Sequence, residues 1–277
     1  MTKRQVSGGE ASSRVLEQLR GKRVLITGTT GFLGKVVLEK LIRAVPDIGG
    51  IYLLIRGNKR HPDARSRFLN EIATSSVFDR LREADAEAFD AFLEDRIHCV
   101  TGEVTEPGFG LGEPACRKLA MELDAVINSA ASVNFREELD KALTINTLCL
   151  ENIAQLARMN PALAVLQVST CYVNGMNSGQ VAEAVIKPAG EAIPQSPEGY
   201  YEIEDLVRLL HDKIEDVRSR YTGKALEKKL VELGIREANR YGWSDTYVDE
   251  STAGAEPDHR AAFDYRKCAG GTGARLD

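Results

Sequence analysis

Short, uninterrupted apolar runs alternate with longer amphipathic stretches along most of the chain. Arg23–Thr27, Gly50–Ile55, Arg96–Thr101, Ala125–Asn128 and Ala164–Val168 are too short for buried helices and read as strands covered on both faces. Between the first two, Lys35–Ala44 places Val36, Val37, Leu38, Leu41 and Ile42 at helical spacing. Residues 63–94 read as a charged helical region, and residues 139–158 as a further helix. This βαβα order predicts an α/β fold, a Rossmann-type doubly wound parallel sheet with helices on both faces. The rhythm breaks from Gly175 to Tyr241. Pro188, Pro194 and Pro197 mark a loop and residues 201–233 read as charged helix. The expectation is a helical insertion at about 176–240, over the open end of the sheet where α/β ligands bind. Residues 1–20 read as a mobile leader, with Val15, Leu16 and Leu19 on one face of a short helix. Residues 248–277 show no periodicity, so the C-terminal strands of such a sheet are expected to be missing.

The most informative local pattern lies between the first strand and the first helix. Thr27-Gly28-Thr29-Thr30-Gly31-Phe32-Leu33-Gly34 is a glycine turn in strand–turn–helix context. The first glycine permits the reversal, the next lets backbone approach a pyrophosphate, and the last lets helix pack close to strand. The helix N-terminus offers its N–H groups to the phosphates. Thr27, Gly28, Thr30, Gly31, Phe32, Leu33 and Gly34 are the candidate cradle. A plain αβ turn also uses glycine, but needs fewer than three at this spacing.

Composition narrows the class. The chain has 277 residues, 43% hydrophobic and 28% charged, as expected of a globular α/β enzyme. A net charge of −5 gives no bulk field favouring nucleic acid. There is no apolar run long enough for a membrane span, and the polar N-terminus lacks the apolar centre of a signal peptide. The 5 cysteines show no metal spacing, and Cys99, Cys149 and Cys171 sit in apolar runs as expected of buried thiols. These features point to a cytoplasmic protein.

Further candidates follow the strand ends. Arg56 lies just past the second strand, and no acidic residue occupies 53–57. An acid there would bind a ribose 2′-hydroxyl, whereas an arginine suits a 2′-phosphate, so NADPH is preferred over NADH. Glu103-Val104 and Ser129-Ala130-Ala131 follow the third and fourth strands, where small residues let backbone approach adenine and ribose. Thr170, after the fifth strand, could donate a hydrogen bond to a substrate carbonyl. Tyr247 could act as a general acid if a nearby lysine lowered its pKa, but position 251, one helical turn on, is Ser. Each has an ordinary alternative: a solvated arginine, a strand-end turn, a helix cap, a packing aromatic.

These segments, with Ile51–Gly57, Val126–Phe135, Gln167–Gly175 and Tyr241–Tyr247, resemble the extended short-chain dehydrogenase/reductases. Within them they resemble the bacterial alcohol-forming fatty acyl-CoA reductases. The resemblance covers about residues 21–247. It implies an NADPH-binding Rossmann domain acting on a long-chain acyl-CoA or acyl carrier protein thioester, reduced to aldehyde or alcohol. Thr170 and Tyr247 would take the hydroxyl and phenol roles. It also implies a lysine four residues after the tyrosine and a further C-terminal domain, neither of which appears here. Another extended reductase acting on a nucleotide-sugar, or an inactive NADPH-binding remnant, are the rival readings.

The tail accounts for the missing lysine. With permitted codons, residues 258–277 shifted by one nucleotide read TIVRPSTIVSALEEPAPGW, which resembles the segment that follows the catalytic helix in this family. Residues 248–257 permit a matching upstream stretch. The expectation is a short deletion just after Tyr247 that removed the lysine and shifted the frame, impairing the chain.

Overall fold

The computed structural model describes residues 14–174, 179, 194–197, 199–200 and 202–242. The chain divides into two compact units, residues 1–130 with 159–167, and residues 131–158 with 168–277.

The first unit contains the sheet. Strands β1 (Arg23–Ile26), β2 (Gly50–Ile55), β3 (Ile97–Thr101), β4 (Ala125–Asn128) and β5 (Ala164–Gln167) lie in the order β3-β2-β1-β4-β5. Every neighbouring pair is parallel, with Val24 opposite both Ile51 and Ala125. This is the doubly wound Rossmann sheet that the alternation predicts. The chain builds outward from β1 to the β3 edge, then returns to the other side of β1. The β1–β4 boundary is therefore the topological switch point, where a crevice opens beyond the carboxyl ends of the strands.

The apolar runs of β1 and β2 become strands because both of their faces are covered, whereas β5, expected to be covered too, leaves Leu166 exposed. Val24, Leu25, Ile26, Ile51 and Leu53 are wholly buried. Helix α1 (Phe32–Ala44) adds Leu38, Leu41 and Ile42 to the same core. Leu16 and Leu19 pack against it too, while Val15 is exposed and does not share their face. Residues 63–94 are helical, as expected, but in pieces. Helix α2 (Ala64–Arg67) runs into a wide turn at Phe68–Ile72. Helices α3 (Asp79–Ala84) and α4 (Ala86–Asp95) follow. Two aspartates set these boundaries: Asp63 accepts from the Ser66 N–H and Asp85 from the Ala88 N–H. Helix α5 (Glu113–Glu122) precedes β4. The sheet also trims three expected strands by one residue: β1 ends at Ile26, β3 starts at Ile97 and β5 ends at Gln167.

The second unit is helical. The helix expected at 139–158 is interrupted: α6 (Leu139–Leu143), a wide turn at Thr144–Leu148, then α7 (Cys149–Met159). In that turn Asn146 clasps Ser132, accepting from its N–H at 2.8 Å and donating to its carbonyl at 3.2 Å. The charged helix expected at 201–233 is two helices, α8 (Ile203–Arg220) and α9 (Gly223–Arg240). They separate because Tyr221 and Thr222 are extended and Gly223 has φ +55°. Leu206, Leu210 and Ile214 of α8, spaced four apart, meet Leu230 and Leu233 of α9 in a core that includes Leu139 and Leu143. The buried Glu237 carboxylate pairs with Lys213.

Cys116 and Cys149 are buried, and Cys99 is half-buried. Cys171, expected to be buried, is exposed because it opens a short turn at Cys171–Asn174 instead of continuing a strand. Among the described residues no helix is long and apolar enough to cross a membrane, and no cluster could hold a metal ion.

Candidate dinucleotide site

The glycine turn behaves as its sequence implies. Gly28 has φ +75°, and a Cβ there would lie 2.6 Å from the Ser129 carbonyl oxygen. Glycine is therefore required twice over, by conformation and by the close approach of the β4 loop. The Gly31 N–H closes the turn onto the Gly28 carbonyl at 3.0 Å. A side chain at Gly34 would run into that same carbonyl, so α1 packs against its own entry turn. Gly31 is the N-cap of α1, no side chain caps it, and the first turn carries no acid. The N–H groups and positive dipole end of a helix of 13 residues thus face the crevice uncompensated. Phe32 and Leu33 flank this end and are exposed, Phe32 to 79%. Thr30 is exposed beside them.

A buried polar chain fixes the switch point. The Thr27 hydroxyl donates to Asn128 Oδ1 at 2.5 Å and accepts from the N–H groups of Ser129 and Ala130 at 3.2 and 3.1 Å. Its single proton and both lone pairs are thereby used. Asn128 Nδ2 donates to Gln167 Oε1 at 2.7 Å, and the Ser129 hydroxyl donates to the Thr27 carbonyl at 2.7 Å. The ends of β1, β4 and β5 are tied by one ordered set of bonds. From sequence, Asn128 and Gln167 are assigned no such pairing. The signal was present, since two amides end adjacent apolar strands and face each other in register.

The opposite side of the crevice carries charge. Arg56, one residue past β2, pairs with Glu103, two past β3, with Nη1 and Oε2 3.2 Å apart. Val104 is buried beside Glu103. The Arg56 backbone is held as well, because Arg67 donates to its carbonyl at 2.9 Å and is anchored on Glu71 at 2.8 Å. Glu71 also accepts from Asn58 at 2.8 Å. The Arg67 and Asn58 hydrogen bonds hold the Glu71 carboxyl below the usual glutamate value. This clamp was not legible in sequence, because its members sit among many charged residues of a loop and helix.

One hydroxyl in the glycine turn stands out. Thr29 is 1% exposed, and its Oγ1 has no hydrogen-bond partner among the described residues. An orphaned buried hydroxyl, two glycines whose Cβ positions are blocked and an uncapped helix end fit a bound pyrophosphate.

The remaining sequence candidates belong to the second unit. Ala131 is exposed. Thr170 is half-buried, and its Oγ1 accepts from the Tyr172 N–H at 3.3 Å, capping the Cys171–Asn174 turn. The capping role uses a lone pair and leaves the hydroxyl proton for donation. Tyr172 also packs its ring against Phe135. Tyr247, Ser251 and the tail lie outside the described residues.

A strand–glycine turn–helix unit at the switch point of a parallel sheet defines a dinucleotide-binding protein of the Rossmann class. Residues 26–256 match the NAD-binding family described as "Male sterility protein", and the chain belongs to that family. Among curated proteins it is similar to "Fatty acyl-CoA reductase 2, chloroplastic" of Arabidopsis thaliana. The two are 36% identical over 237 residues, which is 84% of this chain and 38% of the relative. It is also similar to the "Alcohol-forming fatty acyl-CoA reductase" of Simmondsia chinensis, 30% identical over 250 residues, 86% of this chain and 48% of that one. The chain therefore spans half or less of the length of these relatives. Among solved structures, the terminal R domain from the myxalamid PKS-NRPS biosynthetic pathway superimposes with a TM-score of 0.45 at 26% identity. The superposition covers 80% of this chain and 46% of that one.

Proposed function

We propose that this chain is the NADPH-binding part of a fatty acyl-CoA reductase, built to reduce a long-chain acyl thioester through aldehyde towards alcohol. The observation that carries the reading is the uncapped N-terminus of α1, set by the Gly28 turn against Ser129 and Ala130. The names of the curated relatives supply the substrate class, a fatty acyl-CoA; an acyl carrier protein thioester has the same reactive group. Thr27, Gly28, Thr30, Gly31, Phe32, Leu33 and Gly34 would hold the pyrophosphate, and Ser129, Ala130 and Ala131 the ribose on the nicotinamide side. Glu103 and Val104 would line the adenosine end. Arg56 would bind a 2′-phosphate, since no acid stands at 53–57 to take a 2′-hydroxyl.

When bound, the reduced nicotinamide supplies a hydride to the substrate carbonyl carbon. The Thr170 hydroxyl would donate to the carbonyl oxygen, where negative charge develops. Tyr247 would deliver a proton to the same oxygen. Ser251 stands where the family resemblance places a lysine, which leaves the phenol without the cation that lowers its pKa. That substitution favours a second reading, in which the chain binds NADPH but turns over weakly or not at all. The cause we assign to it is a frameshift over residues 248–277, and codons in the gene that cannot encode the shifted peptide would refute this. We place the protein in the cytoplasm.

Calorimetry of the 277-residue chain with NADPH and NADH, followed by acyl-CoA turnover, tests both readings. Tighter binding of NADPH than NADH supports the assignment, and turnover then separates enzyme from remnant. A folded sample that binds neither dinucleotide refutes it.

A further inference from the structure

The Arg56–Glu103 pair does more than mark the adenosine end. The two residues leave adjacent parallel strands whose last residues, Ile55 and Thr101, are in register. Both begin from fixed backbone. The Arg56 carbonyl is held by Arg67, and the Glu103 N–H donates to the Phe109 carbonyl at 3.1 Å. Phe109 is itself wholly buried. The sheet and its loops thus fix the two backbones from which the side chains meet, with Nη1 and Oε2 3.2 Å apart.

We propose that Glu103 is a specificity-determining residue, an internal competitor for Arg56 that limits how strongly the site prefers a 2′-phosphate over a 2′-hydroxyl. The proposal rests on the assignment of Arg56 given above. A guanidinium presents its N–H donors in a planar fork, and carboxylate and phosphate accept through the same geometry. A dinucleotide with a 2′-hydroxyl enters without disturbing the pair. One with a 2′-phosphate must share the guanidinium with Glu103, which brings the carboxylate beside a dianion. Arg56 is 66% exposed and Glu103 27%, so the pair is a weak one. It therefore tempers the preference for the phosphate without reversing it. The chain accepts both dinucleotides, with NADPH favoured modestly.

The test is the ratio of the NADH and NADPH dissociation constants, measured by calorimetry on the full chain. It compares wild type, Glu103→Gln, Arg56→Gln and the double variant. Glutamine keeps the shape of Glu103 and its backbone bonds, and circular dichroism with an unshifted melting temperature verifies the fold. Glu103→Gln is expected to move the ratio towards NADPH by roughly two- to fivefold. With Arg56 replaced, the same change at 103 is expected to move the ratio by less, because only the direct repulsion between carboxylate and phosphate is then relieved. A ratio unmoved by Glu103→Gln, or moved equally with and without Arg56, overturns the proposal. If Arg56→Gln leaves the wild-type ratio unchanged, the assignment of Arg56 itself fails, whatever the Glu103 variant does.

Discussion

Thr27 shows how much one hydroxyl can determine. Its proton and two lone pairs serve Asn128, Ser129 and Ala130, so no isosteric apolar residue can replace it. Thr27→Val is expected to lower the unfolding free energy by about 1–3 kcal/mol, because buried N–H and carbonyl groups lose their partner. Urea denaturation measures this, and Thr27→Ser should restore most of the loss. Glu71 gives a pH signature. Hydrogen bonds from Arg67 and Asn58 depress its pKa, so its contribution to stability is complete above its unfolded value of about 4.3 and is lost as pH falls through the lower folded value. Glu71→Gln should flatten the acid side of the stability–pH profile and leave the pH dependence above about pH 6 unchanged. The glycine turn was legible from sequence because its backbone requirement is local. The Thr27–Asn128–Gln167 chain was not, since its members are separated by more than a hundred residues from first to last and meet only through strand order.

At the scale of elements, α1 matters for what its first turn lacks. With neither a capping side chain nor an acid there, the helix forgoes a stabilising interaction at its N-terminus. Leu33→Glu should therefore leave the melting temperature unchanged or raise it, the dipole contribution being about 0.3–1 kcal/mol. It should also weaken dinucleotide binding by about tenfold or more through repulsion of the pyrophosphate. A loss of both stability and binding would contradict this account. The central strands β1 and β2 were legible nearly to the residue, since a strand buried on both faces must be continuously apolar. Helix ends were less so. Asp85 breaks the 63–94 region by capping a new helix within a stretch that is charged throughout, and the periodicity of 201–233 does not register the extended Tyr221 and Thr222.

At the scale of the molecule, two apolar clusters are defined, one in each unit. One is built around Val24, Ile51 and Leu53, the other around Leu206, Leu210 and Leu230. Leu210→Ala should cost about 2–5 kcal/mol in the second core. Its effect on NADPH affinity should be much smaller than that of Gly28→Ala, since the proposed pyrophosphate cradle lies in the first unit. Calorimetry and thermal denaturation of the two variants make the comparison. The α/β class was legible from the βαβα order, which admits few topologies. The division into units was not, because residues 131–158 and 168–277 join one body across an intervening strand, and hydropathy carries no record of that association.

The contact between Gly28 and Ser129 has a practical corollary for anyone moving this cradle into another sheet. The transferable module is not the glycine heptapeptide. Gly28 is shaped by the carbonyl of the β4 loop, and that loop hangs from the hydroxyl of the residue before the glycine. A graft would need residues 27–34 and 128–130 together, in a host whose two central strands keep the same offset.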